Sequence, residues 1–468
     1  MFGLAASRAL RPASPHASIG YGHTPKERAK TYGRLITAEM GKPLADSIGE
    51  IKKSALDARY FAEAGEAYLK PQPVPGLPAQ IIYESVGPIF GVMPWNLPFW
   101  QVLRFFTTAA LVGNTAIIKH AETVQGSAEA LETLVRDDGG PEGLYVNLAI
   151  QVEACVAVSA DPRVRAATAT GSVSAGRAVA RKAGQHGKKV VLELGGSDPF
   201  IVLEDADLAK AVELAVVSRY ANNGQGCIDA KRFLVAEPPF DVFTKAFVEQ
   251  SKAFHMGDPM KEGVKLGPLA RSDLRDNLHR QVLDAVKADA CVLTGGEIPA
   301  GPGNFYPPTV LVGLRPEAAI AQEEFFGPVA MIFSFKTEEE AILLANGTDF
   351  GLGAAVWSCD LARAHRVASQ IEAGMVFIND FTRSDPRAPF GGAKASGFGR
   401  ELGALGALEL TNPKLIWQGV RDHPNATDRC IELGALRRPA EPPLGRTHQS
   451  AGSGERPCFG FPISRPIG

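Results

Sequence analysis

Apolar positions between residues 26 and 420 alternate between two patterns. Short apolar runs read as buried strands: Ala116–Lys119, Val190–Leu194, Phe200–Leu203 and Met375–Ile378. They stop at a charge, at Gly195-Gly196 or at Asn379-Asp380. Between them the spacing turns helical. Leu208, Val212, Ala215 and Val216 recur behind Asp207, a residue type suited to an N-cap. An alanine-rich helix opens after Gly171-Ser172. Strands alternating with helices predict an α/β fold with parallel sheets.

Both ends break this pattern. Residues 1–25 hold Arg8, Arg11, several Ala and Ser, and no acid. That is the composition of a transit peptide, but Pro12 and Pro15 interrupt its short apolar face. A poorly structured start is the plainer expectation. Residues 421–468 contain seven prolines, seven arginines and no lysine, which predicts a disordered tail.

Composition narrows the class. A chain of 468 residues accommodates about two or three domains. Its 49 basic and 51 acidic side chains leave a net charge of −2, with no footprint for nucleic acid. No apolar stretch approaches the roughly 20 residues of a membrane span. The six cysteines lie far apart, without metal-ligand spacing, and fit a reducing compartment such as the cytoplasm.

Five segments carry candidate chemistry. Cys227 ends the glycine-rich Asn223-Gly-Gln-Gly-Cys227, where free backbone N–H groups and an exposed thiol suit nucleophilic attack. A small buried hydrophobe is the alternative. Glu193 lies inside an apolar strand, so it is either paired with a buried cation or held at a raised pKa that suits a general base. Pro94 and Pro98 bracket a turn presenting Trp95 and Asn96, whose amide can face a developing oxyanion. Gly171-Ser172 opens a helix whose start can hold a phosphate. Lys119 and Glu122 lie where an α/β sheet binds nucleotides, at the carboxyl end of a strand.

Taken together, these segments resemble the aldehyde dehydrogenase superfamily from about Ala38 to Gln418. The resemblance rests on Glu39-Met-Gly-Lys-Pro43, Pro94-Trp95-Asn96, Lys119-His-Ala-Glu122, Thr170-Gly171-Ser172, Leu192-Glu-Leu-Gly-Gly-Ser197, Gly224-Gln-Gly-Cys227, Glu323-Glu-Phe-Phe-Gly-Pro328 and Pro389-Phe-Gly-Gly392. It implies a Rossmann-type cofactor domain at 26–73 and 87–195, a catalytic domain at 196–404, and oligomerisation strands at 74–86 and 405–420. It also implies the roles. Cys227 is the nucleophile, Glu193 the base that activates water, and Asn96 the oxyanion donor. Trp95, Lys119, Glu122, Gly171, Ser172, Glu324 and Phe326 bind the cofactor. Glu122 near the ribose favours NAD, with NADP as the alternative. The family's late strand implies a homodimer or homotetramer.

Within the superfamily, Trp95-Asn-Leu-Pro-Phe-Trp-Gln-Val-Leu-Arg104 is similar to the succinate-semialdehyde dehydrogenase branch. That similarity implies that Arg104 grips the substrate's distal carboxylate; the alternative is an arginine on a helix surface. A second arginine found in some members is replaced by Ala221, leaving Arg383 and Ser384 as candidates to compensate. Other departures are expected to matter. The stretch before Glu39 is short for the family, so only Lys26–Ile36 can supply an early helix, and a structural or impaired subunit is the alternative function. Asp229, two residues past the nucleophile, is expected to disfavour a thiolate. A CoA-acylating relative is disfavoured, because that chemistry needs no Glu193.

Overall fold

The computed structural model describes residues 26–419; the expectations for residues 1–25 and 421–468 lie outside them. Two sheets organise the chain. The first has six strands in the order Gly397–Phe398, Lys189–Glu193, Ala166–Thr170, Pro88–Met93, Thr115–His120 and Tyr145–Asn147. All neighbours are parallel except the first pair, in which Gly397 lies opposite Glu193. The second has seven strands, with Ala230–Ala236 and Asp198–Val202 side by side near its centre. It too is parallel, apart from an antiparallel strand at one edge, Cys291–Thr294.

The predicted elements form close to their expected limits. Ala116–Lys119 widens to Thr115–His120, and Val190–Leu194 shifts by one residue to Lys189–Glu193. Phe200–Leu203 becomes Asp198–Val202, and Met375–Ile378 forms as expected. Asp207 caps the helix Leu208–Tyr220 by accepting from the Lys210 N–H at 3.1 Å. Capping of this kind satisfies amides that the helix itself leaves unpaired. The early helix runs from Lys26 to Met40, longer than expected.

The helix Trp100–Leu111 determines where the site sits. Its residues from Trp100 to Ala109 are all buried, including Gln101, Arg104, Thr107 and Thr108. A helix buried all round must pair its polar side chains internally. Its start is held by the Glu50 carboxylate, which accepts from Phe99 N at 2.8 Å and Trp100 N at 2.9 Å. Lys42 pairs with the same carboxylate, and both side chains are fully buried. An anion at a helix N-terminus is favourable, and the lysine offsets the cost of burying it.

A third, antiparallel sheet stands apart. Thr411–Trp417 pairs with Ala79–Ser85 of the same chain, from Thr411 opposite Ser85 to Trp417 opposite Ala79. Gln72–Pro73 covers the far side of Ala79–Ser85. Because Thr411–Trp417 ends this sheet, its outer edge carries no strand among the described residues, and Leu415, Ile416 and Trp417 are exposed. Among the described residues no helix is long and apolar enough to cross a membrane, and no cluster of His, Cys, Asp and Glu could hold a metal ion.

Candidate active site

The six-stranded sheet delivers four segments to one edge. Parallel strands align their carboxyl ends: Met93 lies opposite His120, Val92 opposite Ala169, and Thr170 opposite Glu193. The segments that follow are Trp95-Asn96, Glu122, Gly171-Ser172 and Gly195-Gly196. Lys119 is buried in its strand, and its Nζ stands 4.0 Å from Oε1 of Glu122, whose side chain is 66% exposed. Ser172 caps the helix Val173–Gln185 by accepting from Ala175 N at 3.3 Å. This helix lies so close to the sheet that a Cβ on Gly176 would stand 2.3 Å from the Leu194 side chain. Trp95 and Phe326 meet edge to face at 5.8 Å. Glu324 accepts from Gly196 N at 3.0 Å and lies 3.4 Å from Lys231 Nζ.

This edge suits a dinucleotide. A Cβ built on Gly171 meets nothing within 4 Å, so the approach to the helix start is open. The buried Thr170 hydroxyl and both Glu193 oxygens lack hydrogen-bond partners. Unpartnered polar atoms in such a place fit a site that a ligand or water completes. Lys119, Glu122, Ser172, Glu324, Trp95 and Phe326 are the residues that could hold a dinucleotide at this edge.

The cysteine loop is shaped by backbone that few residues tolerate. Asn222, Asn223 and Gly224 are successive left-handed residues, at φ 54°, 60° and 70°. Asparagine and glycine adopt that region at the least cost. Asn223 then ties the loop to its surroundings, donating to Pro268 O at 3.0 Å and Gly41 O at 3.2 Å. Arg219 donates to Gly224 O at 2.6 Å, Gly327 O at 2.8 Å and Ala230 O at 3.1 Å. Lys231 donates to the carbonyls of Gly226 and Cys227, both at 2.8 Å. Asn96 meets the same loop, donating from Nδ2 to Gln225 O at 2.8 Å. One of its two amide hydrogens remains for another acceptor. Its own carbonyl accepts from Asn222 at 3.1 Å and from Lys42 at 3.3 Å.

Cys227 is half-buried, against a cluster built from Phe61, Trp100, Leu352, Phe390 and Leu402. Burial pushes its thiol up to about 12, against the pull of Arg104 and Lys231. The raised pKa favours the thiol form over the thiolate. Asp229 is not the reason for it. Its carboxylate accepts from Gly226 N at 2.7 Å and stands 3.9 Å from Arg219. Burial raises the Asp229 carboxyl itself to about 6. The carboxylates acting most against a Cys227 thiolate are those of Glu324 and Asp198.

Among the described residues no cation bonds to Glu193, so the buried ion-pair alternative is not what they show. Burial, and then the nearby Glu401, push its pKa well above the ordinary carboxyl range. Gly391 makes room for it, since a Cβ there would lie 2.7 Å from Oε1 of Glu193.

Arg104 is 2% exposed, which rules out the helix-surface alternative. Its Nε pairs with Oε2 of Glu401, and its Cζ lies 4.3 Å over the Phe390 ring. Nη2 is buried without a partner, as is Oε1 of Glu401. Burial works against the Arg104 charge, while Glu401, Glu193 and Cys227 sustain it. Arg383 and Ser384 divide. Arg383 is exposed and pairs with Asp380 at 2.5 Å, whereas Ser384 accepts from Lys53 Nζ at 2.6 Å.

Several contributors carry no role in the sequence reading. Lys42 lies in a motif quoted above, and the Asn222-Asn223-Gly224 run is a left-handed signal. Lys231, in an otherwise apolar strand, is a similar clue. Nothing local marks Lys53 or Glu401, which meet the site only through folding.

A half-buried cysteine, an unpaired carboxyl and an amide donor beside a dinucleotide-type sheet edge fit a thiol-dependent oxidoreductase class. Residues 22–416 match the aldehyde dehydrogenase family, and the chain belongs to that family. The NAD(P)+ succinate semialdehyde dehydrogenase Sad of Escherichia coli (strain K12) is 46% identical over 399 residues, covering 85% of this chain and 86% of that protein. A succinate-semialdehyde dehydrogenase of Deinococcus radiodurans, named for NADP+, is 45% identical over 392 residues, covering 83% of this chain and 82% of that one. A crystal structure of the succinic semialdehyde dehydrogenase of Streptococcus pyogenes with NADP+ superposes with a TM-score of 0.86 at 35% identity, over 89% of this chain and 93% of that one.

Proposed function

We propose that this chain oxidises succinate semialdehyde to succinate, with NAD or NADP as the acceptor. The observation that carries the reading is Arg104. A buried guanidinium with a free Nη2 shares the acid pocket of Glu193 and Glu401 and acts electrostatically on Cys227. A planar guanidinium is well suited to recognise a carboxylate. The similarity to proteins named for this substrate supports the same reading.

In the proposed reaction, the Cys227 sulfur bonds to the aldehyde carbon and its proton passes to Glu193. The new oxyanion is held by the free Asn96 amide hydrogen and the Cys227 N–H. A nicotinamide held at the sheet edge would supply the acceptor for the hydride lost from this carbon, and Cys227 then carries the acyl group as a thioester. Glu193 releases its proton and then takes one from the attacking water. The carbon–sulfur bond breaks, its electron pair stays on sulfur, the Cys227 thiolate takes the proton back from Glu193, and the acid leaves. Excluding water until the thioester forms is a role for the surrounding apolar cluster of Phe61, Trp100 and Phe390. Glu122 is exposed, so solvent and salt weaken its repulsion of a 2′-phosphate. That supports use of both cofactors. We read the unpaired edge of Thr411–Trp417 as the contact of a homodimer or homotetramer.

The test is reduced-cofactor formation from succinate semialdehyde by the purified protein, beside Cys227→Ala. Turnover in the first and none in the second is expected. Equal rates in both would overturn the assignment of the nucleophile. A folded wild-type protein inert toward this aldehyde would overturn the substrate.

A further inference from the structure

The pocket around Arg104 is short of positive charge for an anionic substrate. Two buried acids, Glu193 and Glu401, act on the Arg104 guanidinium, and Glu401 already occupies its Nε. Arg400 also acts on Glu193, but it donates to the carbonyls of Gly392 and Gly399. Arg383 spends its charge on Asp380.

Lys53 is differently placed. It belongs to the helix Leu44–Ala64, which packs beside Trp100–Leu111. Its Nζ stands 4.3 Å over the Trp100 ring and donates to Oγ of Ser384 at 2.6 Å. Trp100 and Phe390 belong to the cluster against which Cys227 packs. Arg104 stands over Phe390 as Lys53 stands over Trp100, both at 4.3 Å. Two cations therefore rest on two rings of the cluster that meets the nucleophile. Among the described residues, no carboxylate lies within 4.0 Å of Lys53 Nζ. Asp57, one turn further along its helix, accepts instead from the Thr107 hydroxyl at 2.8 Å.

We propose that Lys53 is a specificity-determining residue, the second cation that receives the substrate's distal carboxylate, acting with Arg104 Nη2 and the Ser384 hydroxyl. The inference rests on the reading that the substrate carries such a carboxylate. Burial, and then the Arg104 charge, work against the Lys53 ammonium, while Asp57, Glu50 and Cys227 sustain it. An arriving carboxylate relieves that repulsion. Ser384 accepts from Lys53, so its own hydrogen is free to donate. A compact ammonium that also binds Ser384 differs from a forked guanidinium, and the site accordingly holds the carboxylate by three separate donors.

The experiment compares succinate semialdehyde with butanal, its uncharged counterpart, in wild type, Lys53→Met and Lys53→Arg. In Lys53→Met the ratio of kcat/KM for the two aldehydes should fall by about 10-fold or more, chiefly through the KM of succinate semialdehyde. Lys53→Arg should recover most of the ratio. Binding of succinate to Cys227→Ala, with and without Lys53→Met, gives a reading independent of turnover and should weaken in step. A Lys53→Met protein that loses both aldehydes equally, with succinate binding unchanged, would show that Lys53 merely tethers the Ser384 loop, and would overturn the proposal. A wild type that does not prefer succinate semialdehyde to butanal would overturn the substrate reading, and this inference with it.

Discussion

The cofactor edge and the acid pocket are close together but are built differently. Lys119, Glu122, Gly171 and Ser172 stand at the ends of two parallel strands that flank Pro88–Met93, each within a few residues of the element that places it. Glu122 and Ser172 are exposed there. The acid pocket joins Arg104 to Glu401, nearly three hundred residues later, and Lys53 to Ser384, more than three hundred later. Its groups are buried, and their charges act on one another strongly. The contrast teaches where to expect large effects. A substitution at the exposed edge meets water and salt, whereas one in the pocket leaves a buried group uncompensated.

Three substitutions sharpen that contrast. Glu193→Gln should have the largest effect, lowering kcat by about 100-fold or more, because a positioned base is lost. Because Glu193 also takes the thiol proton in the proposed reaction, the first turnover of reduced cofactor should slow in stopped-flow traces as well; a rapid first turnover before a slow steady state would confine Glu193 to the attack of water. Glu401→Gln should act through Glu193. Glu401 helps burial to hold the Glu193 pKa high, so removing its charge lowers that pKa. A base with a lower pKa is deprotonated at lower pH. The rise of kcat with pH should therefore move toward acid, and a shift toward alkali would refute the coupling. Glu122→Gln should be smallest, raising the NADP-to-NAD ratio of kcat/KM by about 10-fold at most. A change of several hundred-fold there would show that the edge is as tightly coupled as the pocket.

The two regions also differ in how far they could be read from the chain. The strands around Ala116, Val190 and Met375 are short apolar runs with clear stops, and hydrophobic burial forms them almost wherever they pack. Cys227, Glu193 and Asn96 stood out because each is chemically out of place in its surroundings. Arg104 was readable as a candidate, but its burial and its partner were not. The sequence around Glu401 gives no sign of an acid that faces Arg104. Lys53 reads locally as one more lysine on a helix with charged neighbours.

Chain chemistry alone therefore determined the α/β class, the nucleophile loop and the sheet edge, because these depend on residues close in sequence. Asn222, Asn223 and Gly224 need only their own backbone preferences to turn the loop. Tertiary structure decided the protonation and charge of the site. The raised pKa values of Cys227 and Glu193, and the seating of Lys53 and Arg104 over two rings, depend on burial and on fields from distant segments. Those interactions strengthen as water is excluded, and only the folded chain excludes it.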